Sequence, residues 1–263
     1  MEIIMRISRA LVQVVFLGLL LAGSIAPAQA VVLDWDTVTW NPGSLNNSYD
    51  LNGDNINDVT VALTSQNPGV WDPDPVTGTQ TPAVNQSITG GVSGKSLMLA
   101  ADLHTNSRVT LHLSFTGVNY GATNVSFTIF DIDVTTNSDI ISSIYGVALD
   151  GSKVAATITN IGSNITPSGT MLNQVLTGNA ASPNNSSNGN ATIGFGATII
   201  TDVFFTFGNN AGAPFYQDIA IGDVSFTPVP EINPAISASI SCVLAIGLTV
   251  FVQRRARMRR STR

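Results

Sequence analysis

Four stretches of this chain place an apolar residue at every second position: Val109-Leu111-Leu113-Phe115, Val125-Phe127-Ile129, Val203-Phe205-Phe207 and Ile219-Ile221. Side chains alternate between the two faces of a β-strand, so each run offers one apolar face to a core. Further apolar runs at 59–63, 96–101, 140–149, 153–159 and 191–195 are separated by Gly, Asn, Asp, Pro and Ser. No stretch of residues 31–227 combines helical period with capping residues. Many short strands punctuated by turn chemistry predict an all-β fold, a single sandwich or barrel. Asp150-Gly151 lies between two of the runs and predicts a hairpin, because both residues tolerate the positive φ of a tight turn. Residues 68–85, with several Pro, and 180–190, rich in Ser, Asn and Gly, read as long surface loops.

The two ends are compositionally distinct from this body. Arg6 and Arg9 precede an apolar stretch that closes on Ala28-Gln29-Ala30. That arrangement predicts a signal peptide over residues 1–30, an apolar helix removed by signal peptidase after Ala30. Residues 235–252 carry no charge and would span about 27 Å as a helix, enough to cross a bilayer core. Six Arg follow, starting with Arg254 and Arg255, and by the positive-inside rule they stay in the cytoplasm. Cys242, the single cysteine, falls in this apolar stretch, so the body holds no disulfide.

Pro228-Val229-Pro230-Glu231, then the apolar helix, then the Arg-rich tail 254–263, resembles the PEP-CTERM sorting signal of Gram-negative bacteria. The resemblance covers residues 228–263, and departs from the family where Ile232 follows Glu231 in place of Pro. It implies that an exosortase cuts near Pro230-Glu231 and passes the body from the inner membrane to the cell surface or extracellular matrix. The closing run 217–226, with Asp218 and Asp223 in an apolar strand, is similar to the last strand of extracellular jelly-roll modules, many of which bind carbohydrate. That likeness implies a β-sandwich of jelly-roll type for residues 31–227.

Charge excludes one large class of function. The body has three basic residues, Lys95, Arg108 and Lys153, against fifteen Asp and no Glu. Phosphate backbones are bound by clustered cations, so no nucleic acid is expected as a partner. The same acidity suggests a divalent cation. Asp50, Asn52, Asp54 and Asp58 place oxygen side chains at loop positions 1, 3, 5 and 9, and the Ile56 carbonyl falls at position 7, a spacing suited to Ca²⁺. The loop is similar to EF-hand-like calcium loops between strands, although Asn55 stands where an EF-hand has Gly and Val61 where it has Glu. The other reading is a surface turn closed by its own Asx side chains. Asp131 and Asp133, read as i and i+2 on one strand face, form a second candidate cation site, and Asp223 a third.

Catalysis has little footing here. With no Glu or Cys in the body and with His112 between Leu111 and Leu113, and so on the outward face, no enzyme is expected. Trp71, in the Pro-rich loop, is the candidate ring for binding a sugar. The reading is an exported surface or matrix protein, structural or adhesive and stabilised by calcium. The alternative is a lectin-like module that binds exopolysaccharide.

Overall fold

The computed structural model describes residues 29–66, 70–115 and 120–229. The signal segment through Ala28, the Pro230-Glu231 element, the 235–252 helix and the Arg tail with Arg254 and Arg255 lie outside the described residues. Among those described, no helix is long and apolar enough to cross a membrane.

The body is all-β. Its strands are β1 (Val31–Leu33), β2 (Asn46–Tyr49), β3 (Val59–Ser65), β4 (Ala83–Asn85), β5 (Ser96–Leu103), β6 (Val109–Ser114), β7 (Ala122–Phe130) and β8 (Asp139–Ala148). They continue with β9 (Lys153–Ala155), β10 (Thr157–Thr159), β11 (Ile165–Ser168), β12 (Val175–Gly178), β13 (Ala191–Gly194), β14 (Ile200–Asn209), β15 (Phe215–Ile221) and β16 (Val224–Pro228). Two single 3₁₀ turns, at Met171–Asn173 and Ser187–Gly189, are the helical content among the described residues.

Every ladder is antiparallel, and all the strands join one curled sheet. One half runs β2-β3-β6-β14-β8, with β9 and the β12-β11 pair beyond β8. The other runs β4-β5-β15-β7, with β16-β1 and β13-β10 attached to β7. The halves touch at Ile200 opposite Ala122. The expected single strand 153–159 is in fact two: it leaves β8 at Ala155 and resumes on β13 from Thr157, carrying the chain from one half to the other.

Alternation does the packing. Val109, Leu111, Leu113, Val125, Ile129, Val203, Phe205, Phe207, Ile219 and Ile221 are all fully buried in one core that draws on both halves. Trp35 is also fully buried, edge-on to Trp40 and Tyr49 with ring centroids 6.3 Å away in each case. Its Nε1 donates to the Gly222 carbonyl at 2.9 Å, which removes the cost of burying an indole N–H. On the opposite face of β5 and β15, Met98, Ala100 and Ala220 pack with Phe130 and Ile88 as a small second cluster. The Asp150-Gly151 turn is present, with Gly151 at φ +82° between β8 and β9.

Candidate functional site

The Asp50–Asp58 loop brings its five predicted residues together, but it closes on itself. Asp50 accepts from the Gly53 and Asn55 N–H groups at 2.7 Å each, Asn52 Oδ1 from Asp54 N at 2.9 Å and Asp54 Oδ1 from Ile56 N at 2.8 Å. Asp58, the one buried acid of the set, accepts from Leu51 N at 2.7 Å and from the Asn52 amide at 3.2 Å. Burial works to raise the Asp50 carboxyl, and the surrounding backbone N–H groups outweigh it and hold it below its ordinary value. Oxygens of Asp50, Asn52 and Asp54 thus serve as turn acceptors, each with a further lone pair left over. Among the described residues no three acidic, imidazole or thiol groups stand at metal-holding spacing.

Asp131 and Asp133 do not share a strand face as expected. Strand β7 ends at Phe130, and Asp131 adopts φ +64°, so the alternation of the strand stops before either acid is reached. Both are buried nonetheless, and Asp139 at the start of β8 joins them, its Oδ2 accepting from Asp133 N at 3.1 Å. Burial, then the charges of Asp133 and Asp218, pushes the Asp131 carboxyl up to about 8. Asp218 is pushed to about 6, chiefly by burial, despite the hydroxyl of Tyr216 donating to it at 3.2 Å. Asp223 keeps other company: its Oδ1 accepts from Trp35 N at 3.0 Å, and burial, then the charges of Asp34 and Asp36, raises it.

Trp71 is not an exposed platform. It bridges to Ala101 of β5 and packs, half-buried, on the main core. Trp71→Ala is accordingly expected to lower stability by about 3 kcal/mol through lost packing, read by thermal unfolding, with glycan affinity unchanged. His112 does face outward, and it heads a row of stacked rings across three neighbouring strands. Its ring lies 4.2 Å from that of Phe204, which lies 5.3 Å from that of Tyr145, and Lys153 Nζ caps Tyr145 at 3.8 Å. His112 Nε2 also meets Asp202 Oδ1 at 2.6 Å. The ring faces in this row are turned toward one another, so the row serves as a cross-strand ladder.

The site that sequence reasoning missed is a cleft of about 630 Å³. Thr128 and Phe130 of β7 and Thr192 of β13 line it, with Asn160, Asn188 and Asn190 from two loops; Ile161 and Val92 add apolar surface, and Asp223 is its single acid. Asn160 stands at φ +50°, a conformation that Asn tolerates better than most residues. Gly162 brings the two loops together: a Cβ there would strike the Asn188 carbonyl. Thr128 and Thr192 share a hydroxyl hydrogen bond at 3.0 Å. Asn190 donates its amide N–H to the Gly90 carbonyl at 2.7 Å, while its Oδ1 is buried without a partner. Five separate segments build this cleft, and of its loop residues only the Ser/Asn/Gly-rich run 180–190 and Asp223 stood out in the sequence.

Several solved structures resemble the fold loosely. A family 11 carbohydrate-binding module from Clostridium thermocellum, in complex with a β-1,3-1,4-mixed-linked tetrasaccharide, is 12% identical, with 78% of this chain and 99% of that one covered and a TM-score of 0.33. CBM27-1 from Caldicellulosiruptor saccharolyticus, in complex with mannohexaose, is 13% identical over 77% of this chain and 99% of that one, with a TM-score of 0.37. No protein-family model and no curated protein sequence matches the chain. Overlap this loose leaves the site to be argued from the chain's own residues.

Proposed function

We propose that this chain is an exported, non-catalytic carbohydrate-binding module with a β-sandwich of jelly-roll type. The observation that carries the reading is the chemistry of the cleft: uncharged amides and hydroxyls interleaved with Phe130, Ile161 and Val92. A sugar offers the same mixture, hydroxyls around the ring edge and C–H groups on its faces. A charged ligand would find no cation in the lining, and glycoside hydrolysis uses a pair of carboxyl groups where this lining has only Asp223. Asn160 and Asn188 are exposed at the rim. Asn160→Ala with Asn188→Ala is expected to weaken glycan binding about 10-fold, the worth of one or two hydrogen bonds, while the positive φ of Asn160 lowers the melting temperature by only a few degrees.

Export and sorting belong to the same proposal. The signal segment 1–30 and the tripartite tail 228–263 support secretion, cleavage near Pro230-Glu231 by an exosortase-type enzyme, and release to the cell surface or matrix. Deleting residues 231–263 is expected to leave the body in the periplasm or medium, unprocessed at its C-terminus, as read by fractionation and mass spectrometry. Unchanged surface location would refute the sorting part alone. Structural Ca²⁺ at the Asp50–Asp58 loop is supported by its donor spacing, with Asp223 a further candidate ligand beside Asp34 and Asp36.

A further inference from the structure

We propose that Asp131, Asp133 and Asp139, with the carboxamide oxygen of Gln217 and the hydroxyl of Ser182, hold one hard divalent cation of the calcium class, at a site separate from the Asp50–Asp58 loop. Four parts of the chain converge there: the end of β7, the start of β8, the 180–190 loop and β15. The residues are 7%, 7%, 2%, 3% and 8% exposed, respectively, so these polar groups have left water.

Their hydrogen bonds fix where they sit and leave oxygens over. Ser182 N donates to Asp133 Oδ2 at 2.7 Å, which places Ser182 next to that carboxylate. Gln217 Nε2 donates to the Asn137 carbonyl at 2.9 Å, within the short segment joining Asp133 to Asp139, so its amide oxygen is held at the same segment. Asp131 Oδ1, Asp139 Oδ1, Gln217 Oε1 and Ser182 Oγ are all buried with no partner. Among the described residues no ion pair reaches any of the three carboxylates.

Carboxylates buried without a counter-charge are costly, and the charges of Asp131, Asp133 and Asp218 act on Asp139. Protons relieve only part of this. An added proton lets one carboxyl donate to a single neighbouring oxygen, as the Ser182 hydroxyl can, and the remaining buried oxygens still lack a donor or a positive charge. A cation satisfies carboxylates, amide oxygen and hydroxyl together. The donors are oxygen alone, which selects a hard ion over zinc or copper. Carboxylate, amide and hydroxyl oxygens drawn from four segments suit Ca²⁺, with its six to eight flexible ligands, better than Mg²⁺, which demands a near-ideal octahedron and keeps several waters. Among the described residues the acids stand farther apart than a bound ion would hold them, so binding requires them to close on the ion, with water completing the shell. The site adjoins the cleft, since Asp131 follows Phe130 and the Asp131 Cα would lie 3.2 Å from a Cβ on Gly189.

The test titrates calcium alone into the full chain, purified in mild detergent and stripped with chelator, by calorimetry at pH 7.5. An Asp50→Ala background removes the other loop. One binding event is expected to persist in that background, to release protons, and to weaken about 100-fold on adding Asp139→Asn. If Asp139→Asn does not fold, Asp131→Asn takes its place with the same expectation. Calcium binding unaltered by either acid substitution, no calcium uptake in the Asp50→Ala background, or equal affinity for magnesium would overturn the proposal. Glycan binding does not enter the readout, so the result stands apart from the carbohydrate reading.

Discussion

Gly178→Ala is expected to destabilise the fold by about 3 kcal/mol or more. Gly178 ends β12, and a Cβ there would run into the Asp133 backbone carbonyl, carbon and Cα. Backbone cannot swing away as a side-chain tip can, so either β12 or the 131–139 segment must move. That segment also carries the acids Asp131, Asp133 and Asp139. For a body of this length the loss corresponds to a fall in melting temperature of roughly 6–12 °C. Gly151→Ala is the comparison: nothing lies within 4 Å of its added Cβ, and only the positive φ of +82° is unfavourable. It should cost about 1 kcal/mol. Thermal unfolding of both variants checks the pair, and equal losses would contradict the packing described for Gly178.

The second large effect is on pH. Asp131 and Asp218 have folded values near 8 and 6 against an ordinary 3.8, raised first by burial and then by neighbouring carboxylates, and Asp139 is raised well above it for the same reasons. A carboxyl raised on folding favours the folded state below its unfolded value, and that contribution is lost as the pH climbs through the folded value. With calcium removed by chelator, stability should therefore fall as the pH rises from 5 to 8. Each such group contributes about 1.4 kcal/mol per pH unit in its own window. Allowing for partial relaxation, a drop in melting temperature of roughly 10 °C is expected across that range. Below about pH 4 the trend reverses, because Asp50, Asp74 and Asp150 are held below the ordinary value and lose their hydrogen-bonded anionic form there. In saturating calcium the alkaline loss should shrink, since an ion then replaces the protons. A flat profile from pH 5 to 8 in chelator would mean that these acids are not buried as described.

Strand identity was legible because burial on one face imposes period two, and Leu111, Phe205 and Ile219 each obey it. The break at Ala156 was not, since nothing in 153–159 tells a strand that stays on β8 from one that crosses to β13. Asp131 shows a similar limit: an i, i+2 pair shares a face only while the strand lasts, and the left-handed turn at Asp131 ends it. The outward side of His112 followed from its apolar neighbours, but the Phe204 and Tyr145 rings that stack beside it come from other strands. The cleft was least legible of all. Thr128, Asn160, Asn188 and Thr192 are unremarkable in sequence and become a site only when loops 160–162 and 187–190 meet over β7 and β13. Trp71 sits in a Pro-rich loop, which suggests exposure, whereas this loop lies along β5 and its half-buried ring packs on the core.

The carbohydrate reading has a direct measurement. Electrophoresis of the full chain through native gels containing soluble neutral polysaccharides should show retardation by at least one of them, relieved by the Asn160→Ala and Asn188→Ala pair. Migration unaffected by every neutral polysaccharide, or retardation that the pair leaves intact, would contradict the cleft as a glycan site.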